Sequence, residues 1–125
     1  MTLSDDDLTR YARHIVLKEV GGSGQAALKA ASVAVVGAGG IGSPAMAYLA
    51  AAGVGRLVLI DDDRVDLSNL ARQTIYATQD VGAAKVDAAA AAIGRINPGV
   101  AVECRLLRLD RGNVGELLDL SLIHI

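Results

Sequence analysis

Two short, unbroken apolar runs frame the sequence: Val33-Ala34-Val35-Val36 and Leu57-Val58-Leu59-Ile60. A strand with one wet face alternates apolar and polar residues, whereas a strand covered on both faces does not. Each run therefore predicts a buried strand of a parallel sheet. A third strand is predicted at Val100-Ala101-Val102-Glu103-Cys104, after the turn residues Asn97-Pro98-Gly99. Ser43 to Ala52 is nearly all small or apolar, with Pro44 where the first helical turn has no hydrogen bond to lose and Gly53 as a C-cap. Ala83 to Ile96 is an Ala-rich helical stretch. The order β-α-β-α-β predicts an α/β fold with a Rossmann-like parallel sheet, the first mononucleotide-binding half of a doubly wound protein.

Before the first strand the pattern changes. Ser4 followed by Asp5, Asp6 and Asp7 reads as a helix start, with a side-chain cap and negative charge in the first turn. Leu8, Tyr11 and Ile15 repeat at helical spacing, with Arg10 and Arg13 off the stripe. Gly21, Gly22 and Gly24 then break the pattern before a short helical run from Gln25 to Ala30. The expected division is a helical arm over residues 1–30, suited to packing on a partner subunit, and a nucleotide-binding domain over residues 31–125.

Composition narrows the function classes. The 125 residues amount to one small domain, 52% hydrophobic and without Phe or Trp, as suits a layered α/β protein. A formal charge of −2 supplies no global field to recruit nucleic acid or an anionic membrane, so an anion site must be local. The single Cys104 forms no internal disulfide or multi-thiolate site, and in a strand without a cationic neighbour it reads as a small buried hydrophobe. The Asp-rich N-terminus is unlike a secretory signal, and apolar stretches stop well short of the roughly twenty residues that cross a bilayer. The cytoplasm is the expected compartment.

The chemistry concentrates at the ends of the two buried strands. Gly37, Gly39 and Gly42 make a GxGxxG between strand and helix. The first allows the tight turn, the second lets phosphate approach the backbone, and the third lets helix meet strand. Asp61 follows about twenty residues later, where a carboxylate accepts hydrogen bonds from ribose hydroxyls. Together they point to an adenosine nucleotide without saying which. The polar stretch Asp66-Leu67-Ser68-Asn69-Leu70-Ala71-Arg72-Gln73 then brings Arg72, a planar fork for phosphate oxygens, and Lys85 follows as a mobile point charge. NAD has no terminal triphosphate to need these cations.

These residues carry a resemblance. The pieces Arg10-Tyr11-Ala12-Arg13-His14-Ile15, Val36-Gly37-Ala38-Gly39-Gly40-Ile41-Gly42-Ser43, Ala52-Gly53-Val54-Gly55, Asp61-Asp62-Asp63, Ser68 to Gln73, Val81-Gly82-Ala83-Ala84-Lys85 and Ile96-Asn97-Pro98 stand in register. They are similar to the N-terminal portion of the ThiF/MoeB/HesA family of ATP-dependent adenylyltransferases, relatives of the ubiquitin-activating enzymes. The resemblance implies that Gly37, Gly39, Gly40, Gly42, Asp61, Asp63, Ser68, Asn69, Arg72 and Lys85 surround ATP. It gives catalytic roles to Arg72, Lys85 and Arg13, the last reaching the partner's phosphates across a homodimer interface. The implied substrate is the C-terminal Gly-Gly carboxylate of a ubiquitin-like sulfur-carrier protein, activated as an acyl-adenylate with release of pyrophosphate, in molybdopterin or thiamine biosynthesis. Mg2+ is implied with the triphosphate.

In the family an acidic loop that helps hold Mg2+ follows a fourth strand, and further on there is often a CxxC pair for Zn2+ and a reactive cysteine. Asp119-Leu120-Ser121-Leu122-Ile123-His124-Ile125 begins to resemble that strand without delivering the loop, so no metal ligand is assigned within these residues. The expected fragment is inactive alone, with an open edge beside the first strand. Other readings remain: a tRNA threonylcarbamoyladenosine dehydratase relative, an NAD-binding oxidoreductase domain, or a non-catalytic interaction subunit. Calorimetry with ATP and Mg2+ against NAD separates the first class from the oxidoreductase. Tighter ATP binding is expected, and tighter NAD binding would sink adenylation.

Overall fold

The computed structural model describes residues 2–117 and the backbone of Leu118, Ile123 and His124. Three helices, α1 (Asp5–Arg10), α2 (Ala12–Ile15) and α3 (Gly21–Ala30), precede β1 (Ser32–Val36), α4 (Gly42–Ala52) and β2 (Arg56–Asp61). Then come α5 (Lys85–Ile96), β3 (Ala101–Leu106), α6 (Val114–Leu118) and β4 (Ile123–His124), with a 3-10 turn at Leu67–Asn69. The strands form one parallel sheet in the order β3-β2-β1-β4. The predicted β-α-β-α-β order and Rossmann-like class are therefore observed.

The register explains why the two apolar runs show no alternation. Val33, Val35, Leu57 and Leu59 pack on one side with Met46 and Ala50 of α4 and Val86, Ala89 and Ile93 of α5. Ala34, Val58 and Ile60 face the other way and are covered by Leu117 of α6 with Leu107 and Leu109. Both faces are buried, so both sets of positions must be apolar. Gly53 ends α4 at φ 95, as expected of a left-handed cap, and its missing Cβ is also required sterically. A Cβ there would stand 2.5 Å from Gln25 Nε2 and 2.7 Å from Tyr11 Cζ.

Three local expectations are corrected. The N-terminal helix is interrupted at Tyr11, at φ −106 and ψ 18, where burial of the ring inside the body overrides the continuous helical pattern. The glycines at 21–24 do not break the chain's helicity but open α3, with Gly21 at φ 61 making the turn and the Gly24 amide donating to Val20 O at 2.9 Å. The edge of β1 is occupied at Val33 and Ala34, which pair with Ile123 and His124. The rest of the proposed fourth-strand segment, residues 119–122 and 125, lies outside the described residues, as does the side chain of His124.

Polar ties hold the N-terminal helices to the sheet-bearing part. Asn97, almost fully buried, donates through Nδ2 to Tyr11 Oη at 2.6 Å and to Ala50 O at 2.8 Å, while its Oδ1 accepts from Gly99 N. Buried Gln25 donates to Ala52 O at 2.9 Å and its Oε1 meets His14 Nδ1 at 3.0 Å. Ser4 caps α1 in a reciprocal box with Asp7, and Lys29 pairs with Asp7 at 2.6 Å. Lys29 and the Ser4 amide bring the Asp7 carboxyl down to about 2. Among the described residues no helix is long and apolar enough to cross a membrane.

Asn97→Ala leaves the Tyr11 hydroxyl and the Ala50 carbonyl buried with a partner lost. A loss of about 2–4 kcal/mol is expected, read as a lower urea midpoint at unchanged slope.

Candidate functional site

Where β1 stops at Val36, Gly37 turns the chain at φ 90 and its amide still donates to Ile60 O at 2.8 Å. The next peptide is held from two sides. Ala38 N donates to Asp61 Oδ2 at 2.7 Å, and the Tyr76 hydroxyl donates to Ala38 O at 2.7 Å. Ser43 N then donates to Gly39 O at 3.0 Å, fixing the first turn of α4. Gly42 has no room for a side chain, because a Cβ would stand 1.8 Å from Gly37 O. At Gly40 a Cβ would meet nothing within 4 Å. One glycine thus seats the helix on the strand end, and another leaves the loop's outer side bare at the N-terminus of an eleven-residue helix, a setting suited to anions.

Beside this loop a crevice of about 450 Å3 opens at the ends of β1 and β2. Val36, Gly37, Ile60 and Asp61-Asp62-Asp63 line one part of it, and Leu107, Arg108 and Leu109 the rest. Asp61 is half-buried and works as a strut, its Oδ1 accepting from Asp63 N at 2.7 Å while Oδ2 holds Ala38 N. An ionised carboxylate has about four acceptor positions, so two remain for ligand hydroxyls. Asp62 and Asp63 are exposed, and carboxylate oxygens of the three aspartates lie within 4.8 Å of one another. Burial, then the charges of Asp61 and Asp80, push the Tyr76 phenol well above its ordinary value, keeping it a neutral donor.

Lys85 opens α5, and its amide donates to Asp63 O at 3.0 Å, which brings the cation to the end of β2. Its side chain is 5% exposed, and its ammonium has no hydrogen-bond or ionic partner among the described residues. Arg72 is exposed, with Nη1 3.4 Å from Ser68 O. Ser68 and Asn69 are already engaged locally. Both the Ser68 hydroxyl and its amide donate to Asp66, holding that carboxyl below its usual range, while Asn69 Oδ1 accepts from Asp66 N at 2.8 Å.

The chain therefore brings Gly37, Gly39, Gly40, Gly42, Asp61, Asp63 and Lys85 to one end of the sheet. It does not bring Arg13 there. Arg13 lines a hollow with Thr9, Arg10, Tyr11, His14 and Ala51, at the C-terminal end of α4. At 1.5 Å per residue that helix separates Arg13 from the glycine loop by about 16 Å.

Three contributors were not anticipated from the sequence. Gln73 is buried at 2% exposure, its Oε1 has no partner, and its Nε2 lies 3.7 Å from where a Cβ on Gly39 would be. Tyr76 secures the loop, and the segment 107–109 closes the crevice. A glutamine following an arginine in a polar stretch carries no signal of burial. The segment after β3 could have been found from the rule that open α/β sheets bind ligands beyond the carboxyl ends of their strands. Cys104 is half-buried, with Sγ 3.3 Å from Val86 O, and burial pushes its thiol up, as suits a packing residue.

A profile of the ThiF family matches residues 11–121. The chain belongs to the ThiF family. Among its ThiF-family relatives, the SAMP-activating enzyme E1 of Haloferax volcanii is 52% identical over 120 residues, covering 94% of this chain and 44% of the relative. The sulfur carrier protein adenylyltransferase of Thermus thermophilus is 48% identical over 118 residues, with the same coverages of 94% and 44%. Among solved structures, the E. coli tRNA N6-threonylcarbamoyladenosine dehydratase in complex with ATP superposes at a TM-score of 0.89 and 30% identity, covering 97% of this chain and 49% of that one. The chain thus spans less than half the length of these relatives.

Gly42→Ala forces the loop or α4 to move and is expected to cost about 1–3 kcal/mol, whereas Gly40→Ala, with open space around it, stays within about 0.5 kcal/mol. Chemical denaturation of the two variants side by side checks the contrast. Equal costs would remove the steric role of Gly42.

Proposed function

We propose that this chain is the ATP-binding half of an adenylating enzyme. The observation that carries the reading is Lys85, a lysine at 5% exposure whose ammonium faces no counter-charge among the described residues. With its stem enclosed and its ammonium reaching solvent, Lys85 is held in place with its charge unpaired, and a polyphosphate beside the glycine loop would supply the counter-charge. The crevice beside the loop has the volume for a nucleoside, with Val36, Ile60, Leu107 and Leu109 set among three aspartates and Arg108. Asp61 would accept from ribose hydroxyls, the amides around Gly39 and Gly40 would meet phosphate oxygens, and Lys85 and Arg72 would offset charge on the pyrophosphate as it departs.

In the proposed reaction a carboxylate oxygen attacks the α-phosphorus of ATP, the bond from that phosphorus to the bridging oxygen breaks, and pyrophosphate leaves. The product is an acyl-adenylate, an electrophile with a good leaving group. The names of the Haloferax and Thermus relatives support a ubiquitin-like sulfur carrier as the acid. We further propose a homodimer in the cytoplasm, in which Arg13, remote from its own crevice, serves the partner's phosphates. Mg2+ would accompany the triphosphate and neutralise part of its charge. Asp62 and Asp63 are hard oxygen donors at the right edge of the crevice, although Asp61 spends an oxygen on each of two backbone amides. A further acidic ligand, and any Zn2+ site, would lie in sequence beyond these residues.

A second reading, adenylation of threonylcarbamoyladenosine in tRNA, is favoured by the fold likeness to the E. coli dehydratase. The higher identity of the two carrier-linked relatives supports the first.

ATP–pyrophosphate exchange with a carrier ending in Gly-Gly tests the proposal in the full-length protein. Lys85→Met, which keeps the aliphatic stem and removes the charge, is expected to slow exchange by about 100-fold or more with folding intact. Unchanged exchange would remove Lys85 from the site.

A further inference from the structure

Gln73 is the one described side chain near the glycine loop with a buried polar atom, Oε1, that has no partner. Its neighbours are all engaged: Tyr76 holds Ala38 O, Asp61 holds Ala38 N, and Ser43 holds Gly39 O. Gln73 is 2% exposed, its Oε1 lacks a partner, and no hydrogen bond to its Nε2 is made by any described residue. Its backbone is fixed at both ends, the amide donating to Asn69 O at 2.8 Å and the carbonyl accepting from Tyr76 N at 3.2 Å. The side chain is therefore delivered to the loop by rigid neighbours. Leaving a buried amide unpaired costs about 1–3 kcal/mol, and a methionine of similar shape would avoid that cost.

The position of Nε2, the donor end of the same amide, indicates what it would meet. Nε2 lies 3.7 Å from the place a Cβ on Gly39 would take, and that place is vacant because the residue is glycine. A ligand group approaching the Gly39 backbone enters the space that Nε2 faces. We infer that Gln73 is a phosphate-positioning residue, donating from Nε2 to a phosphate oxygen of the nucleotide over Gly39. This inference rests on the nucleotide reading above and adds a neutral donor to the two cations. Arg72 and Lys85 act on phosphate charge from outside the loop, whereas an amide donor selects one oxygen and fixes its direction. A donor of this kind discriminates phosphate from no phosphate and contributes nothing to a nucleoside without one.

The test compares wild type with Gln73→Met and Gln73→Glu in the full-length protein, using ATP, inorganic tripolyphosphate and adenosine as probes in calorimetry. Without nucleotide, Gln73→Met is expected to melt at or above the wild-type temperature, because it removes an unpaired buried oxygen. Its affinity for ATP and for tripolyphosphate should fall about ten- to hundred-fold, the usual worth of one hydrogen bond to a charged group, with adenosine binding unchanged. Gln73→Glu, which sets a carboxylate against the phosphate, should fall further. Equal affinity of Gln73→Met and wild type for ATP would overturn the inference and leave the nucleotide reading intact. So would a parallel loss for ATP and adenosine accompanied by a lower melting temperature, which is the behaviour of a packing residue. Failure of the wild type to bind ATP would overturn both.

Discussion

The close approach of Gly42 to the Gly37 carbonyl governs the geometry of this molecule. With a Cβ excluded at 1.8 Å, α4 sits directly on the end of β1, and the residues between form a tight loop. The other features of the site follow from that seating. Asp61 reaches back to Ala38 because β2 runs in register beside β1, with Val36 opposite Ile60. Tyr76 and Gln73 reach the same loop from the other side. Any displacement of the loop would loosen the Asp61 and Tyr76 bonds to Ala38 together.

A second constraint is the cost of burying polar groups. Most buried polar side chains here are paired: Asn97 spans Tyr11 and Ala50, Gln25 joins His14 to Ala52, and Ser43 returns to Gly39. Gln73 Oε1 is the exception beside the glycine loop, and Lys85, its stem enclosed at the end of β2, makes no ion pair among the described residues. Buried polar groups are paired in folded proteins with few exceptions, and an exception calls for a reason. The placement of Gln73 and Lys85 at one end of the sheet supports the proposed nucleotide site over a bare strand-to-helix turn.

The N-terminal helices follow the same logic at the far end of α4. Tyr11 fills the space over Gly53, where no Cβ fits, and its hydroxyl is held by Asn97. This anchors the segment that carries Arg13 and fixes the arginine about one helix length from the crevice of its own chain. A role for Arg13 at phosphates therefore requires a second copy.

Periodicity alone determined the three main strands, α4, α5 and the β-α-β-α-β order. Runs of β-branched residues without alternation fit only a sheet covered on both faces, and the glycines and Asp61 fall at its strand ends. The sequence also located Arg72 and Lys85, because cations near a GxGxxG are chemically conspicuous. What it did not reveal were contacts between residues distant along the chain. The break at Tyr11 arises from a partner 86 positions away, α3 is tied to the end of α4 by the bond from Gln25 to Ala52 O, and β1 pairs with Ile123 and His124 through the fold of the sheet. The burial of Gln73 and Lys85 belongs to the same class. Composition marks both as surface residues, and only the tertiary structure decides that they are enclosed, because enclosure depends on which elements close over a side chain rather than on its own identity.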